Sequence, residues 1–188
     1  MKNISLLLLI LIVYNTTIAQ GVFSNQTNNT LEKVLQDYPS QFKNIRGQLL
    51  SSKPGSTEYK STLTIPGAIS TTITQSATSH KQAVSWQSVL YKSNEFNAAK
   101  SRFEELFSQI KNTIIKPEGQ KPVIVDGQYN NPTEDKSSTT ILFDLLPATG
   151  PMQKINIDLM LKSTNGEWEI VLSVYDKEMK DSEALTVK

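Results

Sequence analysis

The first hydrophobic feature of the chain is an unbroken run, Leu6 to Val13, which follows Lys2 and yields at Tyr14 and Asn15 to Thr17-Ile18-Ala19. A positive start, a short apolar stretch and small residues before a cut describe a secretory signal, so residues 1–19 are expected to be removed ahead of Gln20. A membrane span takes ~20 apolar residues, and this run stops well short of that. Gln20 to Asn29 is rich in Asn, Gln, Ser and Thr and reads as a flexible tether over 20–29. Asn29 with Glu32 three residues on predicts a capped helix start, and Leu31, Val34, Leu35 and Tyr38 share one face until Pro39 interrupts the ladder. A second short turn is expected to carry Phe42 and Ile45 before Gly47.

Hydrophobicity then changes to a period of two. Glu58 to Ile65 sets Tyr59, Leu63 and Ile65 against Lys60, Thr62 and Thr64. Ile69 to Gln75 aligns Ile69, Thr71 and Ile73, and Ala83 to Tyr91 aligns Val84, Trp86 and Leu90. Such alternation predicts half-buried antiparallel strands. From Ser93 to about Ile115 the period becomes helical, with Phe96, Ala99, Phe103, Leu106, Phe107, Ile110 and Ile114 on one stripe. Ser93 or Asn94 is the expected cap, and Pro117 and Gly119 the expected stop. After Val123-Ile124-Val125, alternation returns in three stretches. These are Ile141 to Leu145, Ile155 to Leu161, and Trp168 to Val174, with Asn165-Gly166 suited to a tight hairpin.

The predicted order is α-βββ-α-βββ(β), an α+β domain over 30–178 in which helices cover an antiparallel sheet, with a frayed tail at 179–188. Ser40-Gln41-Phe42-Lys43-Asn44 echoes Ser108-Gln109-Ile110-Lys111-Asn112, and Trp86 to Tyr91 echoes Trp168 to Tyr175. These echoes suggest a duplicated unit, with pseudo-repeats 30–92 and 93–178.

Composition narrows the function classes. Lys and Arg number 19 against 18 Asp and Glu, and loss of Lys2 with the signal would balance them. Scattered basic residues and a net charge near zero give no reason to expect nucleic acid or an anionic membrane. The absence of cysteine rules out thiol chemistry and disulfides, leaving an exported chain to rely on its core, in the style of a bacterial periplasmic or secreted protein. Removal of the signal leaves nothing expected to insert the mature chain in a membrane.

No motif carries chemistry outright. His80 is the single histidine, in a polar loop without a Gly-x-Ser-x-Gly elbow. One histidine and no cysteine cannot assemble a usual zinc site, and no phosphate-cradling glycine loop is present, so no cofactor is expected. Glu104-Glu105 reads as the wet face of the second helix. A hydrolase would gather two or more of His80, Asp126, Asp144 and Asp158 in one concave pocket, although strand-borne acids ordinarily face solvent. Asp126, Asn130, Glu134 and Asp135 form an oxygen-rich loop that lacks the spacing of a calcium-binding loop. Thr62, Thr64, Ser70, Thr72 and Thr74 fall opposite their strands' apolar residues and predict a hydroxyl-rich patch. The reading is an exported, non-enzymatic binding module that meets a protein or glycan through a sheet face or edge. The alternatives are a carboxylate-dependent envelope hydrolase and an accessory subunit of a surface complex.

Overall fold

A computed structural model describes residues 19–77, 82–116 and 121–177. Helix α1, Ala19–Asp37, leads through short 3-10 turns at Tyr38–Ser40 and Lys43–Ile45 into β1 Arg46–Lys53, β2 Ser56–Ser61, β3 Ser70–Ala77 and β4 Gln82–Ser93. Helix α2, Phe96–Ile110, follows. The chain continues through β5 Ile114–Ile115, β6 Val123–Gly127, β7 Ser138–Leu146, β8 Ile155–Thr164 and β9 Glu167–Asp176. The strands form one nine-stranded sheet in the order β1-β2-β3-β4-β9-β8-β7-β6-β5. Every neighbouring pair is antiparallel. The α+β class read from the pattern is the class observed. Among the described residues, no helix is long and apolar enough to cross a membrane.

Register assigns the two faces of the sheet. Ile73 pairs with Trp86, Trp86 with Val174, Val174 with Ile157, and Ile157 with Phe143, a row of apolar residues running across five strands. This row joins Leu31, Val34 and Leu35 of α1 and Phe103, Leu106 and Ile110 of α2 in one buried cluster. Both helices therefore serve the same face, and α2 packs on β4, β8 and β9. Trp86 is fully buried, and its indole N–H donates to Ser61 Oγ at 3.2 Å and to the Leu63 carbonyl at 3.3 Å. An aromatic group reinforces the other side, with Phe107 5.2 Å from Tyr129 and 5.9 Å from Phe143.

Several boundaries differ from the sequence reading. Residues 20–29 belong to α1, in which Thr27 is buried and its hydroxyl donates to Gln109 Oε1 on α2 at 3.2 Å. The first half carries four strands, where three were expected, and the second half five, where three or four were expected. β1 escaped notice because it is an edge strand with Leu49 and Leu50 exposed, so burial imprints no alternation on it. β2 ends at Ser61, and Ile69 is exposed just ahead of β3. Helix α2 is shorter than 93–115. Glu95 is its N-cap without a side-chain bond, although Ser93 Oγ accepts the Glu95 N–H at 3.0 Å. Asn112, at φ 64°, turns the chain out of the helix and leaves Ile114 in β5. The expected stop at Pro117 and Gly119 lies outside the described residues. The hairpin at Asn165-Gly166 forms as read, with φ 53° and 82°, the two positive values that a type I′ turn needs.

Candidate functional site

The face without helices is where the candidate residues meet. On β3, Ser70, Thr72 and Thr74 point to this face and lie opposite Val89, Gln87 and Ser85 of β4. Val89 and Gln87 in turn pair with Val171 and Ser173 of β9, and these with Met160 and Asp158 of β8. A shallow furrow of about 120 Å³ follows these rows. Val89, Met160 and Val171 form its aliphatic floor, and Ser70, Thr72, Gln87 and Ser173 line it with hydroxyls and an amide. Val171 and Tyr175 are buried yet stand apart from the main cluster, so the centre of this face is closely packed in its own right.

Three ion pairs close one end of the furrow across β4, β9 and β8. Lys92 Nζ lies 2.9 Å from Glu169 and 3.0 Å from Glu167, and Lys162 Nζ lies 3.3 Å from Glu169. Partial burial raises the Glu169 pKa, but hydrogen bonds from Lys92 and Lys162 outweigh it and hold the carboxyl below its ordinary value. The Lys92 ammonium is raised, chiefly by its hydrogen bonds to Glu169 and Glu167.

Only part of the predicted hydroxyl patch assembles. Ser70, Thr72 and Thr74 share the open face, but Thr62 and Thr64 lie beyond the end of β2. Thr62 turns back instead, its hydroxyl donating to the Ile45 carbonyl at 3.1 Å. The furrow is completed by Gln87, Val89, Met160, Val171 and Ser173, which the sequence pattern does not single out. Their alternation placed them on a face, but nothing local says that β4 pairs with β9.

The carboxylates separate into different environments. Asp126 of β6 and Asp144 of β7 are direct cross-strand partners on the open face, and both line a wider depression of about 370 Å³ with Gln128, Thr140 and Leu142. Asp126 also lies 3.9 Å from Lys111 Nζ. Asp158 is 4% exposed, which overturns the expectation that strand-borne acids here face solvent. It sits on the same face opposite Leu142 and Ser173. Glu104 and Glu105 are exposed on α2 as expected, with Glu105 2.6 Å from Arg102. His80 lies outside the described residues.

Of the oxygen-rich loop, Asn130, Glu134 and Asp135 are exposed, and Asp126 belongs to a strand. A side-chain hydrogen bond with Thr133 and its own backbone N–H lower the Asp135 carboxyl. Among the described residues, no three His, Cys, Asp or Glu side chains are grouped so as to hold a metal ion. Tyr129, wedged against Phe103 and Phe107, has its hydroxyl pKa raised by burial and further by Glu104.

No family model, curated protein or solved structure matches this chain. Any functional reading therefore stands on the geometry of the open face.

Proposed function

We propose that the chain is an exported binding protein, released to the periplasm or beyond the cell, whose helix-free sheet face recognises a protein partner. The observation that carries this reading is the furrow of Ser70, Thr72, Gln87, Val89, Met160, Val171 and Ser173, built from four strands of a sheet whose other face is filled by helices. Export rests on the pattern of Lys2, Leu6 to Val13 and Thr17-Ile18-Ala19. The sheet order supports reading the chain as two related units, 30–92 and 93–178, because each half has a helix followed by strands and their last strands, β4 and β9, meet in the middle.

A photo-crosslinking side chain placed at Thr72 of the full chain tests the furrow in the native envelope, with Lys100 on α2 as the control position. The expected result is one partner captured from Thr72, not from Lys100, and lost on Met160→Arg. Equal capture from both positions, or capture indifferent to Met160→Arg, would overturn the reading.

A carboxylate-dependent hydrolase is the second reading. It is favoured by Asp126 and Asp144 facing each other in one depression, since glycoside cleavage uses paired carboxylates. Turnover of an envelope glycan that disappears in both Asp126→Asn and Asp144→Asn would select it over the binding module.

A further inference from the structure

The open face of β5, β6 and β7 carries a second surface, beside the furrow and independent of it. Ile114 pairs with Ile124, and Ile124 with Leu146, so three aliphatic side chains form one row across the three strands. They are 58%, 44% and 50% exposed, and Leu142, two residues beyond Asp144 on the same face, is 51% exposed. Aliphatic residues exposed singly need no explanation, whereas a contiguous set marks a contact surface. Between the row and Leu142 lie the opposed carboxylates Asp126 and Asp144, over the depression of about 370 Å³.

The arrangement repeats along β7 as Leu146, Asp144 and Leu142, each two residues apart and therefore on one face. Strand residues two apart are ~6.6–6.8 Å distant, the spacing of same-face side chains in any other extended segment. We infer that this surface docks an extended segment of a partner protein in which a Lys or Arg stands between two aliphatic residues at every-second-residue spacing. One aliphatic residue covers Ile124 and Leu146, the other covers Leu142, and the cation enters between Asp126 and Asp144.

Charge complementarity selects this occupant over others. Like charges directly opposed across a strand pair repel, and a cation placed between them turns that repulsion into two attractions. Lys111 approaches Asp126 only at 3.9 Å and is in contact range of the Phe107 ring, 5.7 Å from its centre, so it leaves Asp144 without an ion pair among the described residues. A second copy of this chain would need a basic side chain flanked by aliphatic ones on its own exposed face. The exposed aliphatic row here is flanked by acids, so two copies laid face to face would oppose carboxylates.

The test is a fluorescence-anisotropy titration of the full chain with a synthetic peptide carrying the pattern leucine-serine-arginine-serine-leucine. A peptide with glutamate in place of arginine and one with serine in place of both leucines serve as comparisons. The expected result is saturable binding of the first peptide and at least about tenfold weaker binding of the other two. Asp126→Asn with Asp144→Asn, nearly isosteric and checked by melting, should weaken the first peptide by a similar factor, as should Ile124→Ser. Met160→Arg, in the furrow, should leave it unchanged. Absence of saturable binding, or binding equal in the Asn pair, would overturn the proposal. Concentration-dependent dimerisation abolished by Ile124→Ser would overturn it too, by naming a second copy as the occupant.

Discussion

Phe103 lies fully buried on α2, where it meets the sheet and packs 6.3 Å from the Tyr129 ring. Its replacement by alanine should cost about 3–5 kcal/mol, a large part of the ~5–15 that holds such a domain together. Urea unfolding should register this as a lowered midpoint or as loss of soluble protein. Thr72→Ala, on the furrow wall, should stay within about 0.5 kcal/mol of the parent in the same assay. The Asp126 and Asp144 pair makes the opposite kind of prediction. Because like charges opposed across strands destabilise, Asp144→Asn should raise stability by about 0.2–1 kcal/mol, most clearly at low ionic strength. These residues were legible to different degrees. The helical stripe identified Phe103, but the confrontation of Asp126 with Asp144 depends on a strand register that no local pattern encodes.

At the scale of elements, strands are joined by side chains as well as by backbone. Glu169 ties β9 to β4 through Lys92 and to β8 through Lys162. A carboxyl whose folded pKa is depressed contributes stability above its unfolded pKa and loses it as pH falls through the folded value. The raised Lys92 contributes below its unfolded pKa and loses that contribution as pH rises through its folded value. Glu169→Gln should therefore be less stable than the parent near pH 7. The difference should shrink at an acid pH below that depressed folded value, where both states bind the proton. Unfolding curves at the two pH values measure this directly. The join of β6 to β7 depends on size instead. A Cβ on Gly127 would lie 2.7 Å from Phe143 Cδ1 and 3.1 Å from the Leu142 carbonyl oxygen. Gly127→Ala should thus destabilise the protein by about 1–3 kcal/mol, as overpacking does. A rise in accessibility of the β6 amides to hydrogen exchange would accompany that loss.

For the molecule as a whole, one nine-stranded sheet carries two helices on one face and none on the other, whose centre is packed around Val171 and Tyr175. A sheet this wide can bury a large core on one side and still present a broad surface on the other, which is how antiparallel sheets differ from parallel ones. Intact-mass analysis of protein recovered outside the cytoplasm should show a chain beginning at or near Gln20. Recovery of Met1 to Ala19 on that material would remove the support for a cleaved signal.

The sequence by itself determined the class of fold and most of its elements. Alternation in β3, β4 and β7 to β9, the stripe of α2 and the Asn165-Gly166 turn are local effects, set by side-chain direction and backbone preference within a few residues. It could not reveal β1, whose exposed edge position leaves no buried face to imprint a period, nor that Thr27 of α1 reaches Gln109 of α2 across the structure. Tertiary structure alone decided which face-sharing residues became neighbours. Ser70 and Thr72 joined a furrow with Val171 and Met160, while Thr62 and Thr64 did not, because β2 stops at Ser61 and β4 lies against β9. Periodicity says which side of a strand a residue takes. Only the long-range pairing of strands, fixed by the shared core beneath them, says what stands beside it.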